Sequence, residues 1–198
     1  MVIAIITDDH FYFKSYQAMT NIQSEQIVLR APEPEDIDFI YELENNPEIW
    51  EFGNTLVPFS RYTLREYLQT AHLDIYTNKQ ARFIIECNKS SEAVGAIDIF
   101  EFDPYHNRAG IGVVINNTNN RKKGYAKEAL KLLLKYCFNT LLLNQVYCTI
   151  TADNEASINL FKSVGFNVTG KKAEWIKTAS GFKDEYTLQY FRNDYNNL

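Results

Sequence analysis

The chain has 198 residues, 45% of them hydrophobic and 23% charged, with 20 Lys and Arg against 25 Asp and Glu for a formal charge of −5. That length and apolar content suit one domain with a sizeable core and exclude a disordered chain. The acidic balance argues against a general nucleic-acid binder, which would be basic.

From residue 26 onward the pattern is regular. Residues 26–30 predict a short strand, ended by Pro32 and Pro34. Residues 35–45 predict a helix closed by Asn46-Pro47, and a second helix runs from residue 60 to about 77. Residues 81–87, 93–102 and 108–115 predict an antiparallel meander, its turns polar at 88–92 and Pro/Asn-rich at 103–107. A polar loop, 116–123, leads to a helix over 124–139 whose apolar face carries Ala126, Ala129, Leu130, Leu133, Leu134 and Cys137. A strand at 145–151, a short helix at 154–164 stopped by Gly165, and a hairpin of 167–177 with 182–191 complete the chain. The order β-αα-βββ-α-β-α-ββ is that of one α+β domain, residues 26–198, with a mixed, largely antiparallel central sheet flanked by helices. Residues 1–25 form an N-terminal extension that reads equally as an added strand, a flexible arm or an artefact of start-codon choice, since Met19 is an internal start.

Cys87, Cys137 and Cys148 each lie in an apolar stretch without a neighbouring Cys or His. Buried free thiols in a reducing, cytoplasmic compartment are expected, and no metal site. The apolar start, residues 1–6, is too short to span a membrane and lacks the features of a secretory signal.

Charge is uneven along the chain. Residues 31–51 hold eight acids (Glu33, Glu35, Asp36, Asp38, Glu42, Glu44, Glu48 and Glu51) and no Lys or Arg. Residues 121–135 hold six basic residues and one acid, Glu128. Such runs are commonly solvated faces; the sharper reading is a cation-attracting region and an anion-holding one. The segment Arg121-Lys122-Lys123-Gly124-Tyr125-Ala126 opens a helix, where unpaired backbone N–H groups and the helix dipole attract anions. Gly124 admits a ligand close to the backbone, Ala126 keeps the first turn slim, and the three bases suit a diphosphate. Neither a P-loop nor a dinucleotide fingerprint is present.

Arg121-x-x-Gly124-x-Ala126 resembles the Gln/Arg-x-x-Gly-x-Gly/Ala signature of the GCN5-related N-acetyltransferases (GNAT family). The strand Gly112-Val113-Val114-Ile115 before it and the helix Asn154-Glu155-Ala156-Ser157, running to Gly165-Phe166, resemble the family's flanking motifs. The pattern is nearest to the spermidine and ribosomal-protein N-terminal acetyltransferases. The resemblance implies acetyl-CoA as donor, its pyrophosphate on residues 121–126 and its pantetheine along Val113, Val114 and Ile115, where two strands splay. Asn154 would bond the pantetheine arm, though Asn is also a good helix N-cap. Phe161 would lie beside the thioester, or simply pack in the core.

Two side chains depart from that pattern. Relatives often carry Tyr, as the acid for the leaving thiolate, where this chain has Phe161, and Glu where it has Gly110. Gly110 and Gly112 weaken a strand or make room for a ligand or a bulky neighbour. Asp98 is then the candidate base, direct or through water, or else a satisfied structural carboxylate. Strand alternation places it on the face opposite Glu101.

The connection 45–60 helps form the acceptor site in the resembled family. Here Glu48, Trp50 and Glu51 suit a cationic amine through charge and cation–π contact. The reading is an acetyl-CoA-dependent N-acetyltransferase acting directly, in a ternary complex, on a primary amine of a polyamine such as spermidine, of a peptide or of an aminoglycoside. The alternative is a CoA-binding regulatory module with impaired catalysis. Nucleic acid and membrane are not expected partners; the 28 aromatic residues (13 Tyr, 13 Phe, 2 Trp) leave room for a homodimer contact.

Overall fold

The computed structural model describes residues 22–53, 56–70, 73–178 and 180–196. It opens with β1 (Ile27–Arg30), a 3-10 turn (Pro34–Asp36), α1 (Ile37–Glu44), α2 (Pro47–Gly53), α3 (Arg61–Thr70) and α4 (Ile75–Asn78). The meander β2 (Ala81–Cys87), β3 (Glu92–Asp103) and β4 (Arg108–Ile115) follows, then a 3-10 turn (Thr118–Asn120), α5 (Tyr125–Asn139) and β5 (Gln145–Thr151). The chain ends with α6 (Glu155–Lys162), the hairpin β6 (Asn167–Thr178) and β7 (Gly181–Phe191), and α7 (Arg192–Asn196).

Three expectations change. Asn46-Pro47 not only stops α1 but also starts α2: Pro47 takes the first helical position, and Asn46 Oδ1 accepts the Glu48 N–H at 3.0 Å. The single helix expected to run to residue 77 is described as α3 over Arg61–Thr70 and a separate turn, Ile75–Asn78, which Asp74 caps by accepting the Tyr76 and Thr77 N–H groups at 2.8 and 3.0 Å. The ordered fold also begins before residue 26. Ile22 packs on the core, and its carbonyl accepts the Leu29 N–H at 2.8 Å. Residues 1–21, with Met19, lie outside the described part.

The seven strands form one sheet in the order β1-β2-β3-β4-β5-β7-β6. Every neighbour pair is antiparallel except β4 with β5, which α5 joins as a crossover. One sheet face buries Ile97, Ile99, Ile111, Val146 and Leu188 beneath Leu130, Leu133, Cys137 and Phe138 of α5 and Ile158 of α6. The other face is covered over β2 by a smaller cluster, Ile84 with Ile40 of α1 and Leu64 of α3. The sheet is therefore a two-sided partition, with Asp98 of β3 and Tyr147 of β5 on the face away from α5.

Phe166 sits between Phe161 and Tyr190, with ring centroids at 5.1 and 5.5 Å. Phe166→Ala should lower stability in urea unfolding by about 3–5 kcal/mol, because it empties a fully enclosed site. Tyr190→Phe should cost nothing measurable in the same experiment, since the buried Tyr190 hydroxyl has no partner among the described residues.

Candidate active site

The parallel ladder of β4 and β5 pairs Arg108 with Gln145, Ala109 with Val146 and Gly110 with Tyr147, and there it ends. Beyond it, β4 continues against β3 alone as far as Ile115 opposite Gly95, and β5 continues against β7 alone. The two strands thus form a fork whose inner edges, residues 111–115 and 148–151, are not laddered to each other. Backbone polar groups on such edges require water or a ligand. Val113, Val114 and Ile115 all lie on the β4 arm.

Both arms end in helix N-termini. The β4 arm leads through the Thr118–Asn120 turn to Gly124, the N-cap of α5. Gly124 has φ +90°, a left-handed conformation, and a Cβ built on it would meet nothing nearer than Gln26 Oε1 at 3.9 Å. The first intrahelical bond runs from the Glu128 N–H to the Gly124 carbonyl at 3.0 Å, so the N–H groups of Tyr125, Ala126 and Lys127 have no carbonyl one turn back. Arg121, Lys122 and Lys123 lie exposed beside them, with Lys123 Nζ 3.0 Å from Asn120 Oδ1. The open cradle and its charge fit a diphosphate.

The β5 arm leads to Asn154, whose side-chain oxygen accepts the Ser157 N–H at 3.1 Å as the N-cap of α6. The cap uses that oxygen, and the side-chain amide nitrogen has no partner among the described residues. Phe161 does not join the fork. It is 4% exposed and packs in the core against Phe166, because the turn of α6 that carries it faces the sheet.

On the opposite sheet face, Arg82 of β2 organises the acidic helices. Its Nε and Nη2 donate to the two carboxylate oxygens of Asp98 at 2.7 and 2.9 Å, and Nη1 donates to Glu44. The guanidinium also lies over Tyr67, 5.8 Å from the ring centroid. Asp98 is therefore held by a bidentate ion pair, which occupies one lone pair on each of its carboxylate oxygens and fixes its orientation toward Arg82. Beside it, α1, α3, β2 and β3 enclose a cavity of about 450 Å³ lined by Glu44, Tyr67, Arg82, Asp98 and Phe100 among others.

Half of the acidic stretch is neutralised in place. Asp36 pairs with Arg30, Asp38 with Arg61, Glu44 with Arg82 and Glu48 with Arg121, so four of its eight acids hold arginines. Glu48 sits 3.1 Å from Arg121 and ties α2 to the loop before α5, while Trp50 Nε1 donates to the Glu44 carbonyl at 2.6 Å. The Glu51 side chain lies outside the described part. Trp50 thus braces α1 against α2, and the Glu48 carboxylate is engaged by Arg121.

A family model described as the acetyltransferase (GNAT) domain matches residues 26–167. The chain belongs to the GNAT family. The GNAT chain is 25% identical over 172 residues to spermidine N(1)-acetyltransferase of Escherichia coli strain K12, covering 87% of itself and 89% of that relative. It is 28% identical over 179 residues to the uncharacterized N-acetyltransferase p20 of Bacillus licheniformis, covering 89% and 99%. Its fold matches the crystal structure of Vibrio cholerae spermidine N-acetyltransferase in complex with CoA and spermine at a TM-score of 0.79, with 24% identity and coverage of 87% and 99%. The protein is an N-acetyltransferase with the mixed α+β GNAT architecture.

At the base of the fork, two residues meet in a way that strand alternation does not predict. Between Phe100 and Asp103 the β3–β4 register slips, and Glu101 takes φ +48°. The resulting bulge turns the Glu101 carboxylate to the same face as Phe100, where it accepts the Tyr147 hydroxyl. Glu101 therefore does not lie on the face opposite Asp98. The Phe100 ring fills the space over Gly110: a Cβ there would come within 2.2 Å of the ring. Gly110 makes room for a bulky neighbour, and a longer side chain at 110 would require Phe100 to leave. The sequence signal is the adjacent apolar pair Ile99-Phe100, where the alternation of Ile97-Asp98-Ile99 shifts by one residue into Phe100-Glu101-Phe102.

All three cysteines are free and buried. Burial pushes Cys137 and Cys148 up to about 12, whereas the Tyr125 hydroxyl, 3.5 Å from the Cys87 sulfur, heads the hydrogen bonds that draw Cys87 down to about 7. Among the described residues no His/Cys/Asp/Glu group is arranged to hold a metal, and no helix is long and apolar enough to cross a membrane.

Asp98→Asn should destabilise the fold by about 2 kcal/mol in urea unfolding, because one charge-assisted bond to Arg82 is lost. Its pH–rate profile should match that of the parent. A displaced acid limb would return Asp98 to the role of base.

Proposed function

We propose that this N-acetyltransferase moves the acetyl group of acetyl-CoA directly to a primary amine of a cationic acceptor, in a ternary complex of donor, acceptor and protein. The observation that carries the proposal is the fork between β4 and β5, flanked by two helix N-termini, one of them beside Arg121, Lys122 and Lys123. An extended amide-bearing arm suits the open backbone of residues 113–115, and a diphosphate suits the cradle at Gly124 and the N–H groups of Tyr125 and Ala126. Asn154 offers its amide nitrogen to the same arm from the β5 side. Acceptors reach the fork from the face that carries the Arg82 cavity, near Glu48, Trp50 and Glu51. Among cationic acceptors a polyamine is favoured, on the names of the Escherichia coli and Vibrio cholerae relatives; a peptide amine is the second candidate.

Steady-state release of the CoA thiol, measured with spermidine, peptide amines and aminoglycosides, tests the proposal. Turnover with spermidine and intersecting double-reciprocal lines are expected, as a ternary complex requires. Tight CoA binding without turnover on any amine would instead establish a CoA-binding regulatory module. Gly124→Val should weaken CoA binding roughly tenfold by calorimetry, since a left-handed valine costs about 1–2 kcal/mol and its side chain enters the cradle. Unchanged affinity would move the diphosphate elsewhere.

A further inference from the structure

At the base of the fork the structure places a carboxylate and a hydroxyl that no motif announces. Tyr147 is the last β5 residue laddered to β4, and its hydroxyl donates to Glu101, delivered by the β3 bulge. The two line a cavity of about 420 Å³ with Asp103, Arg108, Gln145 and Gln189. The pair Arg108–Asp103 at 3.2 Å cancels one charge, which leaves the exposed Glu101 as the surplus negative group. Gln189 Nε2 donates to Gln145 Oε1 at 2.6 Å, closing the wall on the β7 side.

We propose that Glu101 and Tyr147 are the proton-transfer pair of the acetyl transfer, an assignment that rests on the function proposed above. Glu101 holds the incoming ammonium and passes its first proton to water. The neutral nitrogen then attacks the acetyl carbon, so that an N–C bond forms and the C–S bond breaks with its electron pair on sulfur. The second nitrogen proton goes to Glu101. Tyr147 gives its proton to sulfur and takes that one in return, and the products are the acetamide and the CoA thiol with both side chains as they began. Burial and the adjoining Glu101 carboxylate hold the Tyr147 hydroxyl above its ordinary range, so it relays a proton without resting as a phenolate. The pair supplies, from β3 and β5, the carboxylate and hydroxyl that Gly110 and Phe161 do not.

The test compares Glu101→Gln and Tyr147→Phe with the parent in thiol release and in CoA calorimetry. Glu101→Gln should lower kcat by about 100-fold or more and remove the acid limb of the pH–rate profile. Its CoA affinity should stay within twofold of the parent, which also certifies its fold. Tyr147→Phe should lower kcat at least tenfold. In protein labelled with 3-fluorotyrosine, the fluorine resonance missing from Tyr147→Phe should ionise at lower pH in Glu101→Gln, with no ligand present. A parent that acetylates amines while Glu101→Gln keeps its kcat and acid limb overturns the pair and leaves the transferase reading standing. An unmoved Tyr147 resonance also overturns it. A parent inactive on every amine overturns both.

Discussion

The ladder between β4 and β5 holds for only three residue pairs, and the rest of the site depends on that brevity. A full ladder would satisfy the backbone groups of residues 111–115 and leave nothing for an extended ligand to bond. A missing ladder would separate Gly110 from Tyr147 and dissolve the base of the fork. Because α5 connects the two strands in parallel, both run outward from that base and both end beside a helix N-terminus. The same crossover that buries Leu130, Leu133 and Phe138 thus also brings the N-terminus of α5 to the end of the β4 arm.

Arginine, more than acid alone, shapes the face of the sheet that α1 and α3 cover. Arg30, Arg61, Arg82 and Arg121 each hold one carboxylate of the acidic helices, and Arg82 holds Asp98 as well. The exposed pairs add little stability, since solvent screens them and ordering long side chains costs entropy. Arg82 is different, being enclosed between α1, α3 and β3, where an unpartnered charge would be costly. Its two carboxylate partners therefore fix the distance between the helices and the sheet, and with it the cavity next to Phe100.

Phe100 and Glu101 belong to one local event. The bulge places two successive side chains on one face; the first fills the space over Gly110 and the second reaches Tyr147. A non-glycine residue at positive φ carries a backbone cost that the surrounding ladder must hold in place. Here the flanking β3–β4 pairs, Gly110 with Phe100 and Arg108 with Asp103, do so.

Most elements were legible from hydrophobic period and turn chemistry: β2, β4 and β5 fall at the bounds expected, and the helix after Gly124 begins one residue on. The family and the basic loop before α5 were legible because they rest on contiguous residues, Arg121 to Ala126, whose local conformation is set by a glycine and a helix start. The parts that were not legible share one physical reason: each is a pairing across the chain. That Asp98 faces Arg82, that Glu48 meets Arg121, and that Glu101 crosses to Tyr147 are facts of strand order and of a one-residue slip in register. A slip of this kind reverses a side chain's face without altering composition or charge. The sequence by itself determined an acidic α+β acetyltransferase domain with a basic loop. Only the tertiary structure decided which carboxylates are neutralised by arginine and which one stands at the fork.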